Sequence, residues 1–289
     1  MKLADRVLTY GRMIKFSHSV FALPFALTGA LLASLRTAIT GRHVLWIVVA
    51  MVGARSAAMG FNRLVDRRID ADNPRTRNRE LPAGVITVLA VIAFIVLSSA
   101  VLIFAASRLN PLCLALSPVA LLIVFFYSYT KRFTWASHAF LGLSLSVAPI
   151  GAWIAVRGTL DPVVLLLGAA VLTWVAGFDV IYACQDYEFD LRSGLRSIPQ
   201  RLGVRRPLIV ARLLHVAAFG LLFSLKFLFP LNGLYLIGLL LVGALLTYEH
   251  RLVRHDDLSR LNPAFFTMNG ILSVTYFVFT LSDILILKG

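Results

Sequence analysis

Apolar stretches of roughly 20 residues, each long enough to cross a hydrocarbon core about 30 Å thick, recur along this chain from one end to the other. The chain therefore reads as all-α: a polytopic membrane bundle of nine transmembrane helices, expected at residues 17–35, 43–60, 85–107, 111–129, 138–156, 162–184, 207–229, 231–247 and 264–287. Of 289 residues 59% are hydrophobic and 15% charged, with a mean hydropathy of +0.83. That leaves too little polar surface for a soluble domain of this size, so one continuous bundle over 1–289 is expected.

The breaks between spans carry turn residues, as at Arg108-Leu109-Asn110 and from Arg157 to Asp161, so neighbouring helices pair as hairpins; the break at Phe229-Pro230 is the weakest. Positive residues in short loops mark the cytoplasmic face. With the N-terminus inside, that face collects Lys2, Arg6, Arg12 and Lys15, the arginines between 63 and 79, Lys131 and Arg132, the arginines from Arg192 to Arg206, and Arg251, Arg254 and Arg260. The opposite face receives only Arg36, Arg42, Arg108, Arg157, Lys226 and Lys288. Adding or deleting one early helix would destroy this bias, so nine spans and a cytoplasmic N-terminus support each other.

Topology also accounts for the net charge of +14, since no soluble basic region exists to bind nucleic acid. Cys113 and Cys184 lie in separate apolar segments, which excludes a disulfide framework and a C-x-x-C metal site. The basic stretch 1–16 runs into apolar sequence as far as Leu35 without a small-residue cleavage site, so no removable leader is expected. His18 and His138 flank span starts and read as interfacial.

Acidic residues cluster. Of fourteen, Asp66, Asp70, Asp72 and Glu80 fall in one inner loop, and Asp179, Asp186, Glu188 and Asp190 in or beside another. Asn62, Asp66 and Asp70 are spaced i, i+4, i+8, which sets all three on one face of a helix continuing out of the second span. Asp186 and Asp190 repeat the i, i+4 pair at the end of the sixth. Stacked carboxylates repel unless cations neutralise them, either the nearby arginines as loop salt bridges or a divalent ion, and Mg²⁺ suits carboxylate oxygen and bridges to phosphate. Arg55, inside a span, lies seven residues before Asn62 on the same face, where a buried guanidinium needs a partner, either a bound anion or a structural acid or backbone carbonyl.

The segment Asn62-Arg63-x-x-Asp66-x-x-x-Asp70, with Asn73-Pro74-Arg75-Thr76-Arg77 and Glu80-Leu81-Pro82-Ala83-Gly84 after it, resembles the first signature of the UbiA superfamily of polyprenyltransferases. Asp179-x-x-Tyr182-x-x-Gln185-Asp186-x-x-x-Asp190, followed by Gly194 and Arg196-Ser197, resembles the second, departing from it at Gln185, where many members carry a basic residue. Tyr127-Ser128-Tyr129-Thr130-Lys131-Arg132 is similar to the family's third inner loop. The resemblance implies a helical cavity open to lipid, with Mg²⁺ holding a diphosphate between the two motifs. Asn62, Asp66, Asp70, Asp186 and Asp190 would hold the metal, the four aspartates being the catalytic carboxylates. Arg63, Arg77, Tyr127, Lys131 and Arg196 would contact the diphosphate, and Arg55 and Asp179 the acceptor. Arg75, Arg79 and Arg132 read as ordinary inner-face charges. Either Asp179 or the departing diphosphate would take the ring proton.

What the resemblance implies for function is transfer of a polyprenyl group from polyprenyl diphosphate to an aromatic acid of the 4-hydroxybenzoate type, in ubiquinone or menaquinone biosynthesis. The expected setting is a bacterial inner membrane, with lipid around the bundle and the active site facing the cytoplasm. Phe21-Ala22-Leu23-Pro24-Phe25 and Ala58-Met59-Gly60-Phe61-Asn62-Arg63 also resemble the branch that prenylates a futalosine-derived acceptor in menaquinone biosynthesis. A secondary transporter is the alternative from another class, but its buried charges would sit near the midplane between repeated halves. Here the acids gather at one face and the halves show no clear inverted repeat.

Overall fold

The computed structural model describes residues 9–14, 19–261 and 264–288; the expectations for Lys2, Arg6, Lys15 and His18 fall outside them. The described chain is helical throughout: α1 Ser19–Ala33, α2 Gly41–Asp72, α3 Val88–Leu109, α4 Pro111–Thr130, α5 Ser137–Arg157, α6 Pro162–Ala183, α7 Tyr187–Ser193, α8 Ile198–Leu202, α9 Arg205–Ser224, α10 Gly233–Leu252 and α11 Asn269–Lys288. Among the described residues eight helices are long and apolar enough to cross a membrane, and the expected first span is the shorter apolar helix α1. The break at Phe229-Pro230 is present, between a 3₁₀ turn at Leu225–Phe227 and the start of α10.

Neighbours in sequence pack as neighbours in space. α2 lies along α3, α5 along α6, α6 along α9 and α10 along α11, while α1 joins α5, α11 and α2. Lipid tails are as apolar as leucine, so helices here associate through close packing and polar contacts, not by escaping solvent. Glycine permits the approach: a methyl on Gly29 would fall on the carbonyl of Pro149, and one on Gly142 on that of Leu172. Leu89, Leu97, Leu122, Leu213, Leu240 and Ile286 instead point outward, as a lipid-facing surface requires.

Side-chain caps fix where several helices begin. Thr87 Oγ1 accepts from the Ala90 amide at 3.2 Å, and Asn110 accepts from Cys113 at 2.9 Å while its Nδ2 donates to the Ile154 carbonyl at 2.8 Å. Asn110 thus starts α4 and pins the α3–α4 turn to α5. The N-terminus of α10 has no side-chain cap of its own. Asp283 on α11 supplies one, accepting from the amides of Asn232 at 2.7 Å and Tyr235 at 3.2 Å.

Two features position the site. α2 has 32 residues, about 48 Å at the helical rise, so its last turns leave the hydrocarbon carrying Asn62, Asp66 and Asp70. The second departs from expectation: α6 ends at Ala183 and a 3₁₀ turn at Cys184–Asp186 precedes α7. Asp186 and Asp190 therefore do not share one uninterrupted α-helical face.

Candidate active site

At one end of the bundle a polar cavity of about 200 Å³ is walled by the end of α2, its following loop, the α4–α5 turn and the segment after α6. Asp66 and Asp70, 3% and 4% exposed, face it from α2, and Asp186 and Asp190 from the other side. Each is already partnered. Asp66 accepts from Lys131 Nζ at 2.6 Å, Arg132 at 2.8 Å and Asn62 Nδ2 at 3.2 Å. Both oxygens of Asp70 accept from Arg79 at 2.8 Å, with Arg63 at 3.9 Å. Asp186 takes a two-point contact from Arg75 and a bond from Asn73 Nδ2 at 3.3 Å, and Asp190 accepts from the Ser197 hydroxyl at 2.8 Å. Burial works against the Arg75 charge, but the hydrogen bonds and charge of Asp186 outweigh it and hold its pKa above the usual guanidinium value.

Beneath this polar space lies a larger, mainly apolar chamber of about 630 Å³. Asn62, Arg63, Arg79, Tyr127, Asp179 and Tyr182 line both, so the two communicate through a shared wall. Arg55 stands in the chamber wall, and its buried Nε has no hydrogen-bond partner among the described residues. Ser128 Oγ, in the wall of the polar cavity, is orphaned in the same way. Orphaned buried polar atoms are rare and mark places where a ligand or water completes the bonding.

The UbiA prenyltransferase family matches residues 22–271. The chain belongs to that family. It is similar to the 4-hydroxybenzoate octaprenyltransferase of Nitrosomonas europaea, 34% identical over 284 residues that cover 96% of this chain and 95% of that one. The enzyme of the same description from Vibrio atlanticus is 30% identical over 78% of each chain. Among solved structures, the apo structure of a UbiA homolog from Aeropyrum pernix K1 superposes with a TM-score of 0.81 at 30% identity, covering 94% of this chain and 98% of that one. A UbiA homolog from Archaeoglobus fulgidus bound to GPP and Mg²⁺ shares the fold at 19% identity and a TM-score of 0.72, covering 96% and 99%. The protein is thus an integral membrane prenyltransferase.

The polar cavity and the chamber bring together nearly every residue the sequence nominated. Asn62, Arg63, Asp66, Asp70, Tyr127, Lys131, Asp179, Asp186, Asp190 and Arg196 all line the polar cavity, and Arg55 the chamber. Arg77 does not: it is exposed, because the turns from Asn73 to Arg79 aim Arg75, Thr76 and Arg79 at the cavity and Arg77 out. Reading Arg75, Arg79 and Arg132 as ordinary loop charges needs correction, since these three grip Asp186, Asp70 and Asp66. His138 also needs correction. Its side chain does not face outward at the start of the span but is 3% exposed in the cavity wall, with Nδ1 2.7 Å from Asp179 Oδ2. No periodicity could have found these partners, whose approach depends on turn geometry and on helices distant in sequence.

The cavity presents carboxylate and amide oxygens, the donor chemistry of a hard cation such as Mg²⁺. Among the described residues no three metal-binding side chains converge as a closed cage. Mg²⁺ needs none, because it keeps several waters and binds through one or two carboxylates plus substrate phosphate. The residues fit the ion in that form, with Asp66 and Asp70 on one side and Asp186 and Asp190 on the other.

Proposed function

We propose that the protein transfers a polyprenyl group from polyprenyl diphosphate to an aromatic acid of the 4-hydroxybenzoate type, in quinone biosynthesis. One observation carries this reading: a charged cavity sized for a diphosphate opens through a shared wall onto an apolar chamber that holds Arg55, whose buried Nε has no hydrogen-bond partner among the described residues. A donor with a charged head and an apolar tail, and an acceptor that is an apolar ring bearing one carboxylate, match those two compartments. The octaprenyltransferase relatives point the same way.

Mg²⁺ bound by Asp66, Asp70, Asp186 and Asp190 would neutralise charge developing on the leaving diphosphate. Arg63, Arg75, Arg79 and Lys131 line the same space, and on arrival of the donor they would turn from carboxylate to phosphate oxygen, stabilising that charge as ionisation proceeds. Tyr127 and Tyr182, at the shared wall, stand where the allylic carbon meets the ring, and the apolar chamber keeps water from the cation. Arg55 orients the acceptor through its carboxylate.

Purified protein in nanodiscs, given Mg²⁺, a polyprenyl diphosphate and 4-hydroxybenzoate, is expected to yield a ring-prenylated acid by mass spectrometry. Product from a futalosine-derived naphthoate-like acid instead would keep the prenyl transfer and replace the acceptor. Absence of product with every aromatic acid would refute the reading. The positive-inside bias orients the site toward the cytoplasm of the bacterial inner membrane. Impermeant thiol labelling of intact cells carrying single cysteines is expected to spare position 70 and mark position 288; the reverse pattern would invert the topology.

A further inference from the structure

Asp179 sits where the polar cavity meets the apolar chamber and His138 lines the polar cavity beside it, on a different helix, and their geometry is directional. His138 Nε2 accepts from the backbone amide of Ile198 at 3.3 Å, so that nitrogen carries a lone pair and the ring proton resides on Nδ1. Nδ1–H then donates to Asp179 Oδ2 at 2.7 Å. Asp179 is the acceptor of that bond. Its second oxygen, Oδ1, has no hydrogen-bond partner among the described residues, and the residue belongs to the walls of both cavities. His138 is almost fully buried, whereas the Asp179 side chain keeps 20% exposure toward that junction.

We infer that His138 is a positioning residue that fixes the Asp179 carboxylate, through the Nδ1–H tautomer set by Ile198, as the base that removes the ring proton of the prenylated acceptor. The inference rests on the aromatic prenyl transfer proposed above and names the group that completes it. In that reaction the allylic carbon–oxygen bond breaks with its electron pair leaving on diphosphate oxygen. A ring π pair forms the new carbon–carbon bond. The carbon–hydrogen pair at the same ring carbon then restores aromaticity, and its proton passes to Asp179 Oδ1. No oxidant or further reactant is needed, and the proton leaves through the wet polar cavity. Two features make the arrangement suited to this work. The carboxylate is anchored through one oxygen only, so the other is free to meet the ring. The anchor also ties the base to Ile198, adjacent to Ser197, which bonds Asp190. Base and diphosphate cavity are thereby held in register.

The test compares wild type, His138→Leu and His138→Gln in nanodiscs, with 4-hydroxybenzoate either protonated or deuterated at the attacked ring carbon. The inference expects turnover of His138→Leu to fall roughly tenfold or more, the order expected when a base loses its orientation. It further expects unchanged binding of the polyprenyl diphosphate and a primary deuterium effect that is absent in wild type, because proton removal becomes slow. Glutamine can donate to Asp179 and is expected to restore most of the rate. Should the leucine variant not fold, His138→Ala with added imidazole carries the same comparison, rescue being the expected result. Normal turnover in His138→Leu, or equal loss in the leucine and glutamine variants without an isotope effect, would overturn the dyad. A wild-type protein that prenylates no aromatic acid would fail the proposed function itself, so the two failures are distinct.

Discussion

Arg75 and Asp186, 111 residues apart, are joined by a fork of two parallel hydrogen bonds, Nε to Oδ1 at 2.9 Å and NH2 to Oδ2. The fork ties the loop after α2 to the second aspartate motif across the mouth of the cavity. Its guanidinium also donates to the Tyr182 hydroxyl at 3.3 Å. A lysine offers a point charge without that geometry. Arg75→Lys is therefore expected to raise the KM for polyprenyl diphosphate about tenfold, the order of one charge-assisted hydrogen bond, while leaving the acceptor KM within about twofold. Steady-state kinetics with each substrate varied in turn checks this, and equal shifts in both constants would contradict it.

Removing a motif carboxylate outright would leave Lys131, Arg79 or Arg75 facing a buried void, so alanine variants would confound folding with chemistry. Asparagine keeps an acceptor oxygen and the side-chain volume. Asp66→Asn, Asp70→Asn, Asp186→Asn and Asp190→Asn are each expected to lose at least about a hundredfold in turnover, in line with removal of charge stabilisation at a reacting phosphate. Thermal unfolding should change little, and EDTA should reproduce the loss in wild type. Near-normal rates in any two of the four would exclude a divalent-cation site shared by both motifs.

The long apolar runs made the fold legible in sequence, because a lipid environment permits few backbone solutions. The i, i+4, i+8 spacing of Asn62, Asp66 and Asp70 likewise placed them on one face, since α2 runs unbroken through them. What stayed hidden depended on irregular backbone. The 3₁₀ turn at Cys184–Asp186 reorients Asp186, and the loop after Asp72 decides that Arg75 and Arg79 enter the cavity while Arg77 does not. His138 was invisible for a further reason. Its partner Asp179 lies 41 residues away on the next helix, and nothing in a lone histidine at a span start announces such a neighbour.

Asp283 is 2% exposed and accepts from two amides that open α10. Those amides have no other acceptor of comparable quality within the helix, because the first turn lacks carbonyl partners. Asp283→Ala is expected to cost about 1–2 kcal/mol, the usual range for a lost helix cap, and to lower the midpoint of thermal unfolding in detergent. Asp283→Asn should recover part of the loss. The kinetic constants of the surviving folded enzyme should be unaltered, because Asp283 lines neither cavity; changed acceptor selectivity would show that the α10–α11 contact reaches the site.

Arg55 carries the last prediction, which concerns the acceptor. It shares the chamber with Asn62, seven residues onward on α2, and with Asp179, and its buried Nε has no partner among the described residues. An uncompensated guanidinium in a low-dielectric setting costs several kcal/mol, so the position is sustained only where an anion or another acceptor meets it when the enzyme works. An aromatic carboxylate would engage the fork at two points, and a lysine ammonium could not. Arg55→Lys is expected to weaken use of 4-hydroxybenzoate by about tenfold or more, corresponding to ~1.5–3 kcal/mol for a charge-assisted hydrogen bond, with polyprenyl diphosphate affinity nearly unchanged. Equal loss of donor and acceptor affinity would instead assign Arg55 to the diphosphate clamp. No change in either would make it a structural residue, and an acceptor series lacking the carboxylate separates the cases, because only a carboxylate reader makes wild type and Arg55→Lys converge on such substrates.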